Sequence, residues 1–157
     1  SNMNAVVINW EAACSDNYQI EVSSDNKNWK TVKSSLKTDQ TLTDEINFDE
    51  AVTGRYIKVH SLKSRIVSGK NYGINIFEIK VYGTASNIAL NKPSKASSEY
   101  IDGGKQYYSS LAFDGSSATI NGKQSRWVSN RDYSNDEWIY VDLEDTYDIS
   151  KIVLNWE

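Results

Sequence analysis

The sequence is poor in the residues that build disulfides, metal sites and nucleophilic centres. Its 157 residues include one cysteine, one proline, one histidine and one methionine. Cys14 is alone, so no intrachain disulfide can form, and its polar surroundings predict an unpaired thiol in a loop. His60 ends an apolar alternation and is therefore predicted to be a strand residue. Since it is the only histidine, neither a nucleophilic role for Cys14 nor a metal or catalytic role for His60 is expected. A chain of this length can nevertheless bury the core of one domain.

Two further absences narrow the classes of partner. The chain has no cluster of Lys and Arg and carries a net charge of −4, so we expect no nucleic-acid partner. No apolar run approaches the ~20 residues of a membrane span, and no signal peptide is recognisable. Apolar residues make up 39% of the chain and aromatic residues 11%, which is typical of a globular protein.

The chain does contain many short stretches in which apolar and polar residues alternate. This period of two is typical of half-buried strands, and no stretch shows a convincing helical period. The predicted strands are residues 5–10, 18–23, 29–32, 46–48, 55–60, 74–82, 138–143 and 149–156, with short ones at 96–100 and 126–128. Many short strands with long loops predict an all-β fold, a two-sheet β-sandwich or jelly roll.

The alternation also predicts which side chains face the core. Tyr18, Ile20 and Val22 share one face of their strand, and Ile139, Val141 and Leu143 share one face of another. The stretch Ile74–Tyr82 is predicted to be the longest strand. Its alternation places Phe77, Ile79 and Val81 inward and Glu78 outward.

One strand-like phrase occurs twice, once near each end of the chain. It reads VVINWE over residues 6–11 and IVLNWE over residues 152–157. A phrase repeated at about the length of a domain indicates a tandem array. The chain is therefore predicted to contain the back part of one repeat followed by the front part of the next.

Seven segments match one protein family at consistent spacing, provided that the two halves of the chain are exchanged. They are NIALNKPSKASSEY, LAFDG, RWVS, EWIYVDLEDTYDISKIVLNWE, NWEAACSDNYQIEVSSDNKNWKTV, GRYIKVH and NYGINIFEIKVYG. Together they resemble the discoidin domain, also called the coagulation factor five/eight type C domain, and in particular the bacterial family 32 carbohydrate-binding modules. The resemblance covers residues 6–157. It implies an eight-stranded jelly roll of the galactose-binding-domain-like class, with a sugar site on loops at one end and one structural calcium.

The order of the segments predicts a circular permutation. Residues 1–4 are assigned to a tag remnant and the start, 5–83 to the back part of a repeat, 84–86 to a linker, and 87–157 to the front part of the next. The two parts are predicted to form one domain with a shared core, in which only one copy of the duplicated strand can be used. The alternative is a swapped dimer, in which two half-domains complete each other between chains.

The calcium site is expected at the sequence LAFDGSSAT, residues 111–119. From the residues alone, Asp114 followed by glycine predicts a turn. The resemblance adds a calcium site, an ion that takes 6–8 oxygen ligands. The implied ligands are the carboxylates of Asp114 and Glu78, the carbonyls of Phe77, Leu111 and Ser116, and Thr119.

An insertion follows this segment. In the family, the threonine at the position of Thr119 is typically followed almost directly by Arg-Trp, whereas here residues 120–125 intervene before Arg126. Its Asn-Gly pair at positions 121 and 122 predicts an extra hairpin turn.

The sugar site is expected on loops from distant parts of the chain. Galactose-binding members of the family commonly use a histidine and an arginine, and no histidine lies on the candidate loops. The phrase WEAA followed by GKNYG instead resembles a subgroup associated with polysaccharides such as glucans and chitosan. The implied ligand-binding residues are Glu11 or its duplicate Glu157, Tyr72, Glu99, Arg126 and Tyr133.

Each of these residues also has a structural interpretation. Glu99 is equally explained as a solvated carboxylate, Arg126 as one partner of an ion pair, and Tyr72 as a packing residue. Most of the five tryptophans are assigned to packing. The carboxylates would suit a cationic amino sugar or a neutral hexose.

The favoured function is a non-catalytic carbohydrate-binding module. We expect it to belong to a tandem array on a secreted or cell-surface bacterial protein, with a glycan or polysaccharide and the neighbouring repeats as partners. The alternative is an adhesion module that binds a protein or a lipid headgroup. Membrane insertion is not expected, since Ile66-Val67 is the one apolar pair on the candidate loops. An enzyme using Glu11 and Glu99 would need a deep cleft that a fold of this type lacks.

Overall fold

Antiparallel strands account for most of the chain. The computed structural model describes residues 13–36, 43–83, 86–116, 119–120, 123–130 and 136–156. The strands are β1 Ser15–Ser23, β2 Lys30–Leu36, β3 Thr43–Ser64, β4 Ile66–Val67, β5 Lys70–Asn71, β6 Asn75–Tyr82, β7 Ser94–Ala96, β8 Ile101–Asp102, β9 Lys105–Gln106, β10 Thr119–Ile120, β11 Lys123–Gln124, β12 Trp127–Val128 and β13 Glu137–Trp156. A 3-10 turn at Ser109–Ala112 is the helical element of the described residues, and none of them forms a helix long and apolar enough to cross a membrane. The predicted all-β class is confirmed.

The two longest strands, β3 and β13, pair with each other along most of their lengths. Near one end of this ladder, β1 pairs with β3 and β7 with β13; near the other end, β6 pairs with β13. A register shift between Asp142 and Tyr147 separates the two ends. We call the part with β2, β1 and β7 the front layer and the part with β6 and β12 the back layer. Such irregularities bend strands, so β3 and β13 contribute to both layers of the sandwich.

This continuity corrects the predicted strand boundaries. Residues 46–48 and 55–60 were expected in separate strands, but both lie in β3, which has 22 residues. Residues 138–143 and 149–156 likewise share β13, with 20 residues. The turn-like residues between them belong to the bend, where Glu144 takes a φ of +67°. The prediction that Ile74–Tyr82 is the longest strand is therefore wrong, because β6 has 8 residues.

The core lies between the layers and contains residues from both halves of the chain. Tyr18, Ile20 and Val22 of β1 are buried as the alternation predicts. So are Ile139, Val141 and Leu143 of β13, and all six belong to one cluster. Burying a side chain of this size contributes about 1.5–3 kcal/mol to folding.

One copy of the duplicated phrase occupies the middle of the back layer. Residues 152–156 of β13 are hydrogen-bonded between β3 and β6. Trp156 is wholly buried, and its ring lies 5.7 Å from the ring of Tyr18. The other copy, at residues 6–11, lies outside the described residues.

The orientation of β6 differs from the prediction at two positions. The pairing with β13 passes from Asn155 opposite Glu78 to Trp156 opposite Ile76, so Phe77 is the extra residue of a bulge. Ile76 therefore occupies the core in place of Phe77, which is half-buried. Glu78 was expected to face outward, but its side chain is wholly buried, because the loop around Gly115 covers it.

The structure also places Cys14, His60 and two of the tryptophans that the sequence analysis discussed. Cys14 lies just before β1, outside the strands as expected, but its side chain is wholly buried in the core. Its carbonyl accepts the N–H of Arg65, which anchors this segment beside the end of β3. His60 lies in a strand, as predicted. Among the tryptophans, Trp127 and Trp156 pack in the core.

Candidate functional site

Three loops meet where β6 begins and β12 ends, at one end of the sandwich. The backbone of Ile74 exchanges hydrogen bonds with Ser129, donating to its Oγ at 2.9 Å and accepting from its N–H at 3.0 Å. Gly73 makes this approach possible. Its φ is +77°, and a Cβ at this position would lie 2.7 Å from the Ser129 Oγ. Tyr72, which directly precedes Gly73, is thereby held near the residues that follow β12.

The third loop contains Glu99 and packs against the same strand. The indole Nε1 of Trp127 donates to the carbonyl of Ser98 at 2.9 Å, and the N–H of Tyr100 donates to the carbonyl of Val128 at 2.9 Å. Tyr72, Glu99 and Arg126 therefore lie on adjoining segments, although the chain separates them widely.

Glu99 also has a structural role. Its Oε1 accepts the backbone N–H of Ser109 at 2.7 Å, where the 3-10 turn begins. The carboxylate is half-buried and hydrogen-bonded to the backbone, so it is not the solvated loop carboxylate of the structural interpretation. Its other carboxylate oxygen remains the candidate for a ligand.

Two tyrosines that the sequence did not single out complete this cluster. The rings of Tyr100 and Tyr107 are stacked, with centroids 6.2 Å apart and planes 22° apart. The guanidinium carbon of Arg126 lies 5.0 Å from the centroid of Tyr107, and Arg126 is 9% exposed. Tyr100 and Tyr107 flank the hairpin of β8 and β9, whose two turn residues have positive φ. The sequence feature that indicates this hairpin is a Gly-Gly pair, which favours a tight turn, with a tyrosine on each side.

We call Tyr72, Glu99, Tyr100, Tyr107 and Arg126 the end-loop site. It combines aromatic rings, a guanidinium and a carboxylate on a surface built from loops. Sites for sugars combine apolar faces with a few polar groups in this way. The other predicted ligand-binding residues, Glu11, Tyr133 and Glu157, lie outside the described residues.

A second group of predicted residues meets at the loop after the 3-10 turn. The carboxylate of Glu78 accepts the N–H of Gly115, at 3.2 Å for Oε1 and 3.1 Å for Oε2. The preceding residue, Asp114, accepts the N–H of Ser116 at 2.9 Å through its Oδ1. The structure thus places the carboxylates of Asp114 and Glu78 at one loop.

The electrostatics of this pair suit a cation. Burial of the side chain, together with the negative charge of Asp114, raises the pKa of Glu78 to about 8. A bound calcium would compensate for both charges. No group of three or more His, Cys, Asp or Glu side chains is arranged for a metal among the described residues, but the predicted set has two carboxylates and otherwise mostly backbone carbonyls.

The remaining predicted calcium ligands surround the same loop. Leu111 is in the 3-10 turn, Phe77 is beside Glu78 in β6, and Thr119 begins β10. The side chain of Thr119 is outside the described part of the structure. Their role as ligands, like that of Ser116, stays a prediction.

The inserted segment forms the predicted hairpin. Thr119 pairs with Gln124 and Ile120 with Lys123, on either side of the Asn-Gly pair in the sequence. The hairpin returns the chain to the loop that contains Asp114, where the hydroxyl of Ser125 donates to Oδ2 of Asp114. The insertion therefore adds a contact to the loop that holds Asp114.

Two known family models match parts of the chain. Residues 1–79 match the family model described as the F5/8 type C domain, and residues 111–157 match the one described as the NedA-like, galactose-binding domain. No curated protein and no solved structure matches the chain. Domains of these families are generally ligand-binding modules without catalytic activity. Since the first match spans half of the sequence and the fold is an all-β sandwich, the chain belongs to the F5/8 type C domain family.

Proposed function

We propose that the protein is a non-catalytic carbohydrate-binding module that holds a glycan at the end-loop site. The observation that carries this proposal is the stacked pair Tyr100 and Tyr107 with the Arg126 guanidinium over one ring. The C–H face of a pyranose would pack against the tyrosine rings. Arg126 would donate to sugar hydroxyls, and the free oxygen of Glu99 would accept from them.

The shape of the site predicts weak binding by one module. A shallow surface with few polar groups has a Kd on the order of µM to mM. Neighbouring repeats would raise the avidity, because each further binding event is intramolecular. We propose that such an array anchors a secreted or cell-surface protein to a polysaccharide.

We also propose that calcium is a structural ion at Glu78 and Asp114. Calcium would supply positive charge to the two carboxylates and so keep Glu78 ionised within the fold. Glu78 belongs to the back layer and Asp114 to the loop that covers it. The ion would therefore fix the loop to the strand.

The circular permutation is a proposal about the organisation of the domain. Asn87, at the start of the second part, forms a bridge with Tyr82 at the end of the first. The N–H of Ile88 donates to the carbonyl of Val81 at 2.8 Å. The two family termini would thus lie side by side, which is the condition for permutation.

A glycan array with the intact protein tests the proposed function. We expect binding to one class of polysaccharide and no release of sugar during prolonged incubation. Tyr107→Ala should weaken that binding by at least tenfold, because it removes the ring below Arg126. Tyr108→Ala is the matched control, since Tyr108 is the next residue and is exposed. Equal losses in both variants, or no binding to any glycan, would contradict the proposal.

One observation favours the second candidate, an adhesion module for a lipid headgroup. Ile66 and Ile101 are 58% and 61% exposed in the hairpins β4–β5 and β8–β9. Vesicles of phosphatidylserine distinguish the two functions. Cosedimentation that is lost in Ile66→Ser and Ile101→Ser, without glycan binding, would favour the adhesion module.

A further inference from the structure

The outer surface of the front layer carries a pocket that shares no residue with the end-loop site. Its volume is about 240 Å³. Sites for drug-sized ligands typically enclose about 300–1,000 Å³, so this pocket is suited to a single small unit. We call it the outer-face pocket. Its lining residues are Asn26, Tyr56, Pro93, Ser94, Lys95, Tyr140 and Asp142.

The aromatic wall of the pocket is held by further rings. Tyr140 stacks on Trp138, with centroids 5.7 Å apart and planes 14° apart. It also packs against Trp29 at 5.8 Å and against Tyr56 at 6.1 Å. Trp29 and Trp138 thus support a surface outside the main core. A wall fixed before binding loses little conformational entropy when a ligand arrives.

The polar wall on one side is equally fixed. Asn26 donates from Nδ2 to the hydroxyl of Tyr140 at 3.0 Å, which leaves its Oδ1 as an acceptor. Its backbone N–H donates to the Oγ of Ser23 at 3.0 Å. The N–H groups of Asn28 and Lys27 donate to Asp25 and lower the pKa of that carboxyl, which closes the turn.

The opposite wall contains a compensated ion pair. Arg55 donates to both oxygens of Asp142, from Nε at 2.6 Å and from an Nη at 2.8 Å. This bidentate contact lowers the pKa of Asp142. The negative charge that lines the pocket is therefore matched by Arg55.

Lys95 is the remaining charge on the lining. It is exposed, and it has no carboxylate partner among the described residues. Lys95 lies opposite Tyr140 in the pairing of β7 with β13, so it lies at the aromatic wall. The pocket and Arg55 together thus have a net charge of about +1, which favours an anionic ligand.

We propose that the outer-face pocket is a second carbohydrate site, which takes one sugar residue that carries a carboxylate, as in a uronic acid. The ring would pack against Tyr140 and Tyr56, Asn26 would accept from a hydroxyl, and Lys95 would pair with the carboxylate. This inference rests on the proposed function in one respect, that the module binds glycans. It adds a second location and a charge preference.

Two probes that differ only at C6 test this inference: methyl β-D-glucuronide and methyl β-D-glucoside. Each is titrated into the intact ¹⁵N-labelled protein, and amide shifts give both the location and the Kd. We expect glucuronide to shift the signals of Asn26, Lys95 and Tyr140. Its affinity should exceed that of glucoside at least fivefold and should fall as salt is raised.

Lys95→Met keeps the length of the side chain and removes the charge. We expect it to weaken glucuronide binding at least fivefold and to leave glucoside binding unchanged. Lys63→Met, at an exposed lysine outside the pocket, is the control that should change neither. Equal affinity for the two probes, or an unaffected Lys95→Met variant, would overturn the inference.

The location of the shifts separates this inference from the proposed function. Shifts confined to Tyr100, Tyr107 and Arg126 would overturn the second site and leave the end-loop site in place. Shifts confined to the outer-face pocket would support the second site. If Tyr107→Ala then leaves glycan binding unchanged, that result would count against the end-loop site of the proposed function and not against the second site.

Discussion

Replacing Glu78 by glutamine tests the calcium proposal most directly. Glutamine keeps the shape of the side chain and removes its charge. The carboxylate it replaces is wholly buried, beside Asp114, with a pKa raised from 4.5 to about 8. Without calcium the negative charge destabilises the folded state, whereas with calcium the carboxylate is a ligand of the ion. The substitution should therefore raise stability in chelator and reduce the stabilisation that calcium gives.

The sign in chelator follows from the raised pKa. The folded protein binds this proton more tightly than the unfolded chain, so the stabilisation is full below pH 4.5 and is lost as pH rises through about 8. Since a tenfold change in proton binding is worth about 1.4 kcal/mol, the loss between about pH 5.5 and pH 8.5 is on the order of 3 kcal/mol. Glu78→Gln lacks this dependence and should be the more stable protein at the higher pH.

Calcium should stabilise the wild type more than the variant and so reduce this difference. At a calcium concentration of about 100 times Kd, the wild type gains about 2.7 kcal/mol, or roughly 5–10 °C in Tm for a domain of this size. Glu78→Gln should gain much less, because it has lost a charged ligand. Thermal and urea unfolding at both pH values, with chelator and with calcium, measure all four cases. Glu50→Gln, at an exposed glutamate, is the control for the loss of one charge.

Two results would refute this reasoning. One is a Tm of the wild type that calcium does not change, together with no metal in elemental analysis. The other is a Glu78→Gln variant that is destabilised equally in chelator and in calcium. The second result would mean that the carboxylate acts only through its hydrogen bonds with Gly115.

Three further predictions concern the loops and the assembly. Tyr72→Ala should weaken glycan binding by about 1–3 kcal/mol in calorimetry, with an unchanged Tm, because it removes one aromatic contact outside the core; equal affinity would remove Tyr72 from the site. Gly73→Ala should lower the free energy of unfolding in urea by about 1–3 kcal/mol, since a Cβ would lie 2.7 Å from the Ser129 Oγ at a φ of +77°; an unchanged midpoint would contradict the close approach. Light scattering should give a monomer at all concentrations if the permuted domain is complete in one chain, whereas a dimer that dissociates and melts on dilution would favour the swapped arrangement.

The local pattern of the sequence was sufficient for the strands and for most inward-facing positions. Tyr18, Ile20 and Val22 could be assigned to the core because the side chains of a strand alternate, whatever its neighbours are. The Asn-Gly pair in the insertion predicted its hairpin for a similarly local reason, since the turn needs residues that accept positive φ. The family, and with it the sandwich fold, could be predicted from sequence segments that match the family at consistent spacing.

The tertiary structure decided what local patterns do not encode. Alternation predicts on which side of a strand a side chain lies, but not whether another segment covers that side. Glu78 was therefore predicted to be exposed, whereas the loop around Gly115 covers it. A bulge depends on the partner strand, so the shift of Phe77 out of the core required the pairing with β13.

The continuity of β3 and β13, and the meeting of Tyr107 with Arg126, likewise come from contacts between segments far apart in the chain. The same holds for the rings around Tyr140, where Trp29 and Trp138 arrive from different halves. The sequence by itself therefore determined the elements and the family. Only the packing of distant segments, driven by burial of the shared core, decided which side chains form each site.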